Sequence, residues 1–382
     1  MNVPKLRFKE FNDEYKSIKL KDVSEIYDGT HETPNYVEKG VKFVSVENIS
    51  NLLDTTKFIP ESDYNKYKIK PKYNDVFMTR IGDIGTSSIY KSDEKLAYYV
   101  SLALLRTKDN HILIPDYLNQ YIKNNSFQKE LYNRTIHVAF PKKINTGEIG
   151  ECSINLCSDK EQLKVSNFLS LLDKKIELQT KKIEDLKLFK SYTKIRLFQN
   201  GDKTIKLGDI LTKWNKKNKD GLIDYVESIS NKFGFISQSD QFEDRNVASK
   251  DLKNYYVIEK NVFGYNPSRL NVGSLALKDN DNISVVSPLY ECFTTNQNNK
   301  FMLEWFDSIY FKRGTLSRFE GGVRNTLNFT NLCEIEINLP SIELQNKYAT
   351  YLSTLDKKIK FEEQKLNGLK NLKKGLMQNI FV

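Results

Sequence analysis

The chain has 382 residues and carries 59 Lys and Arg against 49 Asp and Glu, a formal charge of +10. At about 150 residues per domain this length predicts two or three domains, and 39% hydrophobic with 12% aromatic content excludes wholesale disorder. Four cysteines cannot staple so long a chain, no apolar run approaches the roughly 18 residues of a membrane span, and the first residues hold no apolar signal core, so a cytoplasmic, non-membrane protein is expected.

In chain order, residues 43–46 and 75–79 are short runs of β-formers, punctuated by Gly29-Thr30, Gly82-Asp83 and Gly85-Thr86. A short helix is expected over residues 115–124. Residues 154–198 then read as a long helix. Val165, Leu169, Leu172, Ile176, Gln179, Ile183 and Leu186 step alternately by four and three, a coiled-coil seam with one polar layer. Asn200-Gly201-Asp202 ends it. Strands at 282–286 and 334–337 and a short helix at 301–306 follow, with Gly321-Gly322 between. A second long helix runs over 337–381, with the seam Tyr348, Leu352, Leu355, Ile359, Glu362, Leu366 and Leu369.

The two long segments align without a gap at an offset of 183, with 18 of 45 positions identical, including the shared Leu-Asp-Lys-Lys-Ile at 172–176 and 355–359. Ahead of each copy, Ile18-Lys19-Leu20 matches Ile205-Lys206-Leu207, and Thr79-Arg80-Ile81 before Gly85-Thr86 is similar to Ser268-Arg269-Leu270 before Gly273-Ser274. The chain is therefore one plan used twice. An α+β protein follows: two mixed α/β domains at 1–153 and 201–336 alternate with helical spacers at 154–200 and 337–382. The helices bury their stripes most simply as an antiparallel coiled coil with pseudo-twofold symmetry. The alternative is that each packs on its own domain.

The sequence is poor in catalytic constellations. No glycine is followed by lysine, so there is no phosphate-binding P-loop, and Gly-x-Gly-x-x-Gly is absent. Asn266-Pro267 continues as Ser268, not as the Pro-aromatic of amino-methyltransferases. Cys152 and Cys157 have no partner pair for zinc, and His31, His111 and His137 are scattered. No catalytic residue and no metal ligand is assigned. Asp173-Lys174-Lys175 resembles a nuclease fragment, but it recurs on a helical heptad and reads as a solvated face.

Charge is uneven. Residues 154–198 carry a net +4 and residues 337–382 another +4, leaving only +2 on the other 291. Contact with a polyanion would therefore depend on local patches. Candidates are Lys142 and Lys143 after Phe140-Pro141, the Lys213-Trp214-Asn215-Lys216-Lys217 stretch, the alternating lysines 66–72, and Arg318 and Arg324 around the glycines. The aligned pairs Thr79-Arg80 and Ser268-Arg269 suggest a shared phosphate contact, with a hydrogen-bonded structural turn as the alternative. Two similar readers on rods of roughly 60 Å would suit two unlike DNA half-sites.

At this point the residues resemble the specificity subunits of type I restriction–modification enzymes. The resemblance spans essentially the whole chain. It rests on Asp28-Gly29-Thr30-His31-Glu32-Thr33-Pro34, on residues 41–49, on Thr79-Arg80-Ile81-Gly82-Asp83-Ile84-Gly85, on Tyr265-Asn266-Pro267-Ser268-Arg269-Leu270 and on residues 321–339 leading into the Gln345 helix. It departs in one place, where Met78 precedes Thr79 and no Asn-Pro stands. The resemblance implies two target-recognition domains and a non-catalytic chain that reads double-stranded DNA. It further implies two modification subunits that use S-adenosylmethionine, and restriction subunits that use ATP and Mg2+. Leu169, Phe189, Tyr192, Phe198, Leu352, Leu372, Leu376 and Phe381 would serve docking. A self-contained nuclease or methylase, or a scaffold that never touches DNA, are the alternatives.

Overall fold

Each half of the molecule is tied together by two of the repeated motifs. Ile18 of the strand Lys16–Lys19 lies opposite Ile154 of Ser153–Leu156, and Ile205 of Lys203–Lys206 lies opposite Ile337 of Glu336–Leu339, both antiparallel. Thus Ile-Lys-Leu and Ile-Asn-Leu, far apart in the chain, are partners in both repeats. The computed structural model describes residues 3–231, 233–238, 251–270, 273–316, 318 and 326–381. It divides into unit 1, Met1–Thr180 with Gln364–Val382, and unit 2, Lys181–Glu363.

The units share one plan. In unit 1 a four-stranded antiparallel sheet runs Ser24–Asp28, Leu102–Thr107, Val76–Ile81, Asp83–Ile89. In unit 2 the same order is Leu211–Lys213, Glu291–Thr295, Phe263–Tyr265, Leu275–Leu277. The helices Pro115–Ile122 and Asn125–Arg134 follow in the first, Asn299–Phe306 and Ile309–Leu316 in the second. The offset of 183 extends back to Ile144 and Leu327, both fully buried, and to Asn145 and Asn328, which cap the next short helices. The remaining strands differ. Unit 1 adds a three-stranded sheet with a parallel pair, whereas unit 2 adds two antiparallel pairs among its described residues.

The long helices span Asp159–Gln199 and Ile342–Ile380, each preceded by its strand. Within unit 1 the first part of one runs antiparallel to the last part of the other, and Asp173 pairs with Lys373. Within unit 2 the roles exchange, and Lys190 binds Asp356 at 2.7 Å. These ion pairs occupy the same two positions of the repeat, the aspartate of Leu-Asp-Lys-Lys-Ile and a lysine seventeen residues on. The expected seam is buried or half-buried throughout. Both expected modes of burial are used, because the helix ends also enter the domain cores. Val165, Leu169, Met377, Ile380 and Phe381 belong to the core of unit 1; Phe198, Leu352 and Leu355 belong to that of unit 2.

One buried glutamine on each long helix, Gln162 and Gln345, fixes it against its domain. Gln162 Nε2 donates to the carbonyls of Ile112 (2.8 Å) and Cys157 (2.9 Å), while its Oε1 accepts from the Ile114 amide at 3.0 Å. Ile114 caps the helix Pro115–Ile122. Gln345 repeats this: Nε2 donates to Pro340 O and Gln297 Oε1 (both 2.9 Å), and Oε1 accepts from the Asn298 amide at 3.1 Å, the cap of Asn299–Phe306. At about 1 kcal/mol per buried bond, Gln162→Leu and Gln345→Leu are each expected to cost about 3 kcal/mol. Urea unfolding of the full chain checks this, and similar losses in both variants are the expected outcome.

Gly201 does not serve the joint by a left-handed turn. A side-chain carbon there would lie 2.4 Å from the Asn338 carbonyl carbon, so its role is the close approach of two backbones.

Candidate nucleic-acid interface

The strand Val76–Ile81 is covered on both faces, and an arginine at its end is buried with it. Arg80 forms an ion pair with Asp28, and its Nε donates to Ile144 O at 3.0 Å. Its own carbonyl accepts from the Ile144 amide, also at 3.0 Å. Thr79 is likewise buried, with its hydroxyl accepting from the Thr86 amide at 3.0 Å. Asp28 belongs to the Asp-Gly-Thr motif, and Gly29 is needed beside it because a side-chain carbon would meet the Tyr99 carbonyl at 2.5 Å. The motifs that carry the family resemblance in unit 1 therefore meet as a brace, in which an arginine joins the main sheet to the chain at Ile144.

That brace holds the root of a loop, residues 135–144. Ile136 and Lys143 exchange backbone hydrogen bonds at 2.8 and 3.4 Å, and the Gly82 amide donates to Lys142 O at 2.9 Å. His137 lies against the Tyr132 ring at 4.4 Å. Beyond this ladder Val138 and Phe140 stand fully in solvent, next to exposed Lys142 and Lys143. Sequence reasoning chose the lysines and passed over the apolar tip. The signal was a Val and a Phe in a stretch that holds no acidic residue from Thr135 to Gly147.

In unit 2 the counterpart segment lies between Ile309–Leu316 and Phe329–Cys333, and of residues 317–325 only Arg318 is described. Arg318 lies at its start, half-buried, donating to Gly314 O at 2.9 Å and Glu334 O at 3.1 Å. Arg324, with Gly321-Gly322, Asn271 and Val272, lies outside the described residues. Ser268 and Arg269 are exposed in the turn after Phe263–Tyr265, with the Ser268 amide donating to Asn266 Oδ1 at 3.0 Å. The two hydroxyl-Arg pairs thus occupy unlike settings, one inside a strand and one on a surface turn. The basic stretch at 213–217 is largely paired within the unit. Lys213 binds Glu291 at 3.1 Å, Lys216 binds Glu259, and Lys217 lies 3.9 Å from the Tyr256 ring centre. Trp214 is half-buried and donates to Val257 O at 2.7 Å.

The residues named for docking divide by burial. Leu169, Phe198, Leu352 and Phe381 are core; Phe198 meets Phe301 at 5.4 Å, and Phe381 meets Tyr121 at 5.3 Å. Leu376 packs partly against the core of unit 1. Phe189, Tyr192 and Leu372 are exposed. Phe189 and Leu372 hold equivalent positions in the repeat, and so do Leu178 and Phe361, which are also exposed and which the sequence reading missed. A polar face should not show large apolar side chains at matching places in two copies, and that recurrence was available in the alignment.

Burial pushes the thiols of Cys152, Cys157 and Cys292 up to about 12, which keeps them protonated and poor nucleophiles at neutral pH. Among the described residues no cluster of three or more His, Cys, Asp or Glu could hold a metal ion, and no helix is long and apolar enough to cross a membrane.

Comparison with known proteins agrees with this architecture. Solved chains resemble it in fold over almost their full length. One is the type I restriction–modification S subunit of M. genitalium, at 15% identity and a TM-score of 0.62, covering 100% of this chain and 99% of that one. Another comes from a structure described as the basis of complex assembly and conformational transition of the type I R-M system. It shows 11% identity and a TM-score of 0.60, covering 96% of this chain and 97% of that one. The sequence model of the type I restriction modification DNA specificity domain matches twice, at residues 12–188 and 201–371, so the chain belongs to that family.

Proposed function

We propose that this chain is the non-catalytic DNA-reading subunit of a type I restriction–modification complex. Each unit reads one half of an asymmetric, bipartite double-stranded DNA site, with a spacer of defined length between the halves. The exposed apolar positions repeated on the long helices dock two modification subunits, adenine methyltransferases that bind S-adenosylmethionine. Restriction subunits, using ATP and Mg2+, join the same assembly. Such a complex works in the cytoplasm. The observation that carries the reading is the double use of one fold with unlike added strands. It suits a partner offering two related but non-identical faces, as two DNA half-sites do.

The test is binding of the full chain, co-purified with its modification partners, to a duplex selected from a random pool. Inserting one base pair in the spacer is expected to weaken binding at least about tenfold, the scale of one misplaced contact. Affinity indifferent to spacer length would sink the bipartite reading.

A further inference from the structure

We propose that the loop at residues 135–144 of unit 1 is a DNA wedge, in which Phe140, beside Val138, enters between two neighbouring base pairs while Lys142 and Lys143 hold the flanking phosphates. The proposal rests on the DNA-reading function above and names the side chain that deforms the duplex.

Several features of the loop converge on this role. Phe140 is 104% and Val138 97% exposed, the two most solvent-accessible large apolar side chains among the described residues. A single exposed apolar residue on a protein surface needs no explanation. Two at the tip of one loop, each forgoing about 2 kcal/mol of burial, contribute nothing to this fold. The root is rigid. Its residues are pinned by the Ile136–Lys143 ladder, by the Gly82 amide on Lys142 O, and by Arg80 on both polar backbone groups of Ile144. A rigid root with a solvated apolar tip is what insertion into a stacked duplex requires, since a tip free to fold back would lose the cost of unstacking. The electrostatics fit the same partner. Lys142 and Lys143 are exposed at the root beside the tip, and no carboxylate occurs from Thr135 to Gly147 to repel phosphates. Phe and Pro are also the residue types that wedge between base steps when a duplex is kinked. Pro141 follows Phe140 directly and is exposed with it.

The experiment uses the full chain co-purified with its modification subunits and the selected duplex, in which 2-aminopurine replaces each base of the first half-site in turn, outside the adenine that is methylated. The wild type is expected to raise the fluorescence about threefold at one step, as its base unstacks. Phe140→Ala is expected to abolish that rise and to weaken binding about tenfold, with its thermal melt unchanged because the side chain touches nothing in the fold. Lys142→Ala/Lys143→Ala is expected to keep the rise at saturation and to flatten the slope of log affinity against log salt by about 1.8. A rise that survives Phe140→Ala overturns the wedge, and so does a wild type that binds tightly without any rise. Phe140→Ala that spares the DNA signal but weakens partner association assigns the tip to a protein contact, and also overturns it. Absence of salt-dependent DNA binding by the wild-type assembly removes the DNA-reading function itself, and the wedge with it.

Discussion

Glu227→Ala is expected to destabilise unit 2 by about 3–5 kcal/mol, the cost of leaving a buried charge without its partner. Lys278, whose side chain has no exposed surface, is paired with Glu227, itself 4% exposed, and the Ser284 hydroxyl donates to the same carboxylate. The pair ties the strand Glu227–Ser230 to Lys278, just after the strand Leu275–Leu277, and the Ser284 hydroxyl adds the strand Ser284–Val286. Its attraction largely offsets the desolvation of both ions, so its net worth is small while the loss of either half is severe. The double variant Glu227→Leu/Lys278→Met therefore belongs in the same experiment. It is expected to fall within about 1 kcal/mol of the wild type, since an apolar pair of similar volume carries no desolvation penalty. Urea denaturation of the full chain measures both. A single variant as stable as the wild type would contradict the buried pair.

The second large effect concerns the brace of unit 1 and has an asymmetry. Asp28→Ala leaves the Arg80 guanidinium buried with only the carbonyls of Ile144 and Val100, and is expected to cost about 3 kcal/mol. Arg80→Met removes the charge instead. Asp28, about a third exposed, can then turn to water, and the loss is expected to be smaller, about 2 kcal/mol. Denaturation of the two variants gives the order. If Arg80 instead contacted phosphate, as the sequence motif suggests, Arg80→Met would leave stability intact and reduce the salt dependence of DNA binding by about one phosphate.

The periodic features were legible in the sequence because their causes are local. The seam from Val165 to Leu186, its copy from Tyr348 to Leu369, and the Leu-Asp-Lys-Lys-Ile repeat required only spacing, and the structure places them where spacing predicts. The pairing of Ile-Lys-Leu with Ile-Asn-Leu needed a partner more than a hundred residues away, and no periodicity reports that. Gln162 and Gln345 are identical at equivalent positions, yet a glutamine on a helix gives no sign of being buried until the domain it caps is known. Arg80 was legible in principle. It ends the run Val76-Phe77-Met78-Thr79, and a strand apolar on both faces is a buried strand, whose terminal arginine must find a carboxylate. The ion pair of Arg7 with Glu161, at 2.8 Å, with the Tyr15 hydroxyl 3.0 Å from the same carboxylate, has no counterpart in the repeat and so no signal in it.

The chain is not divided where the compact units are. Unit 1 takes core side chains, Met377, Ile380 and Phe381, from the stretch that follows unit 2, whereas unit 2 lies wholly between residues 181 and 363. On the ribosome, then, the order of completion is the reverse of the order of synthesis. The second half can close while the first still waits, its hydrophobic interior lacking a wall, for residues 377–381 to be made. A chain cut short before Met377 would spare the late-written unit and spoil the early-written one.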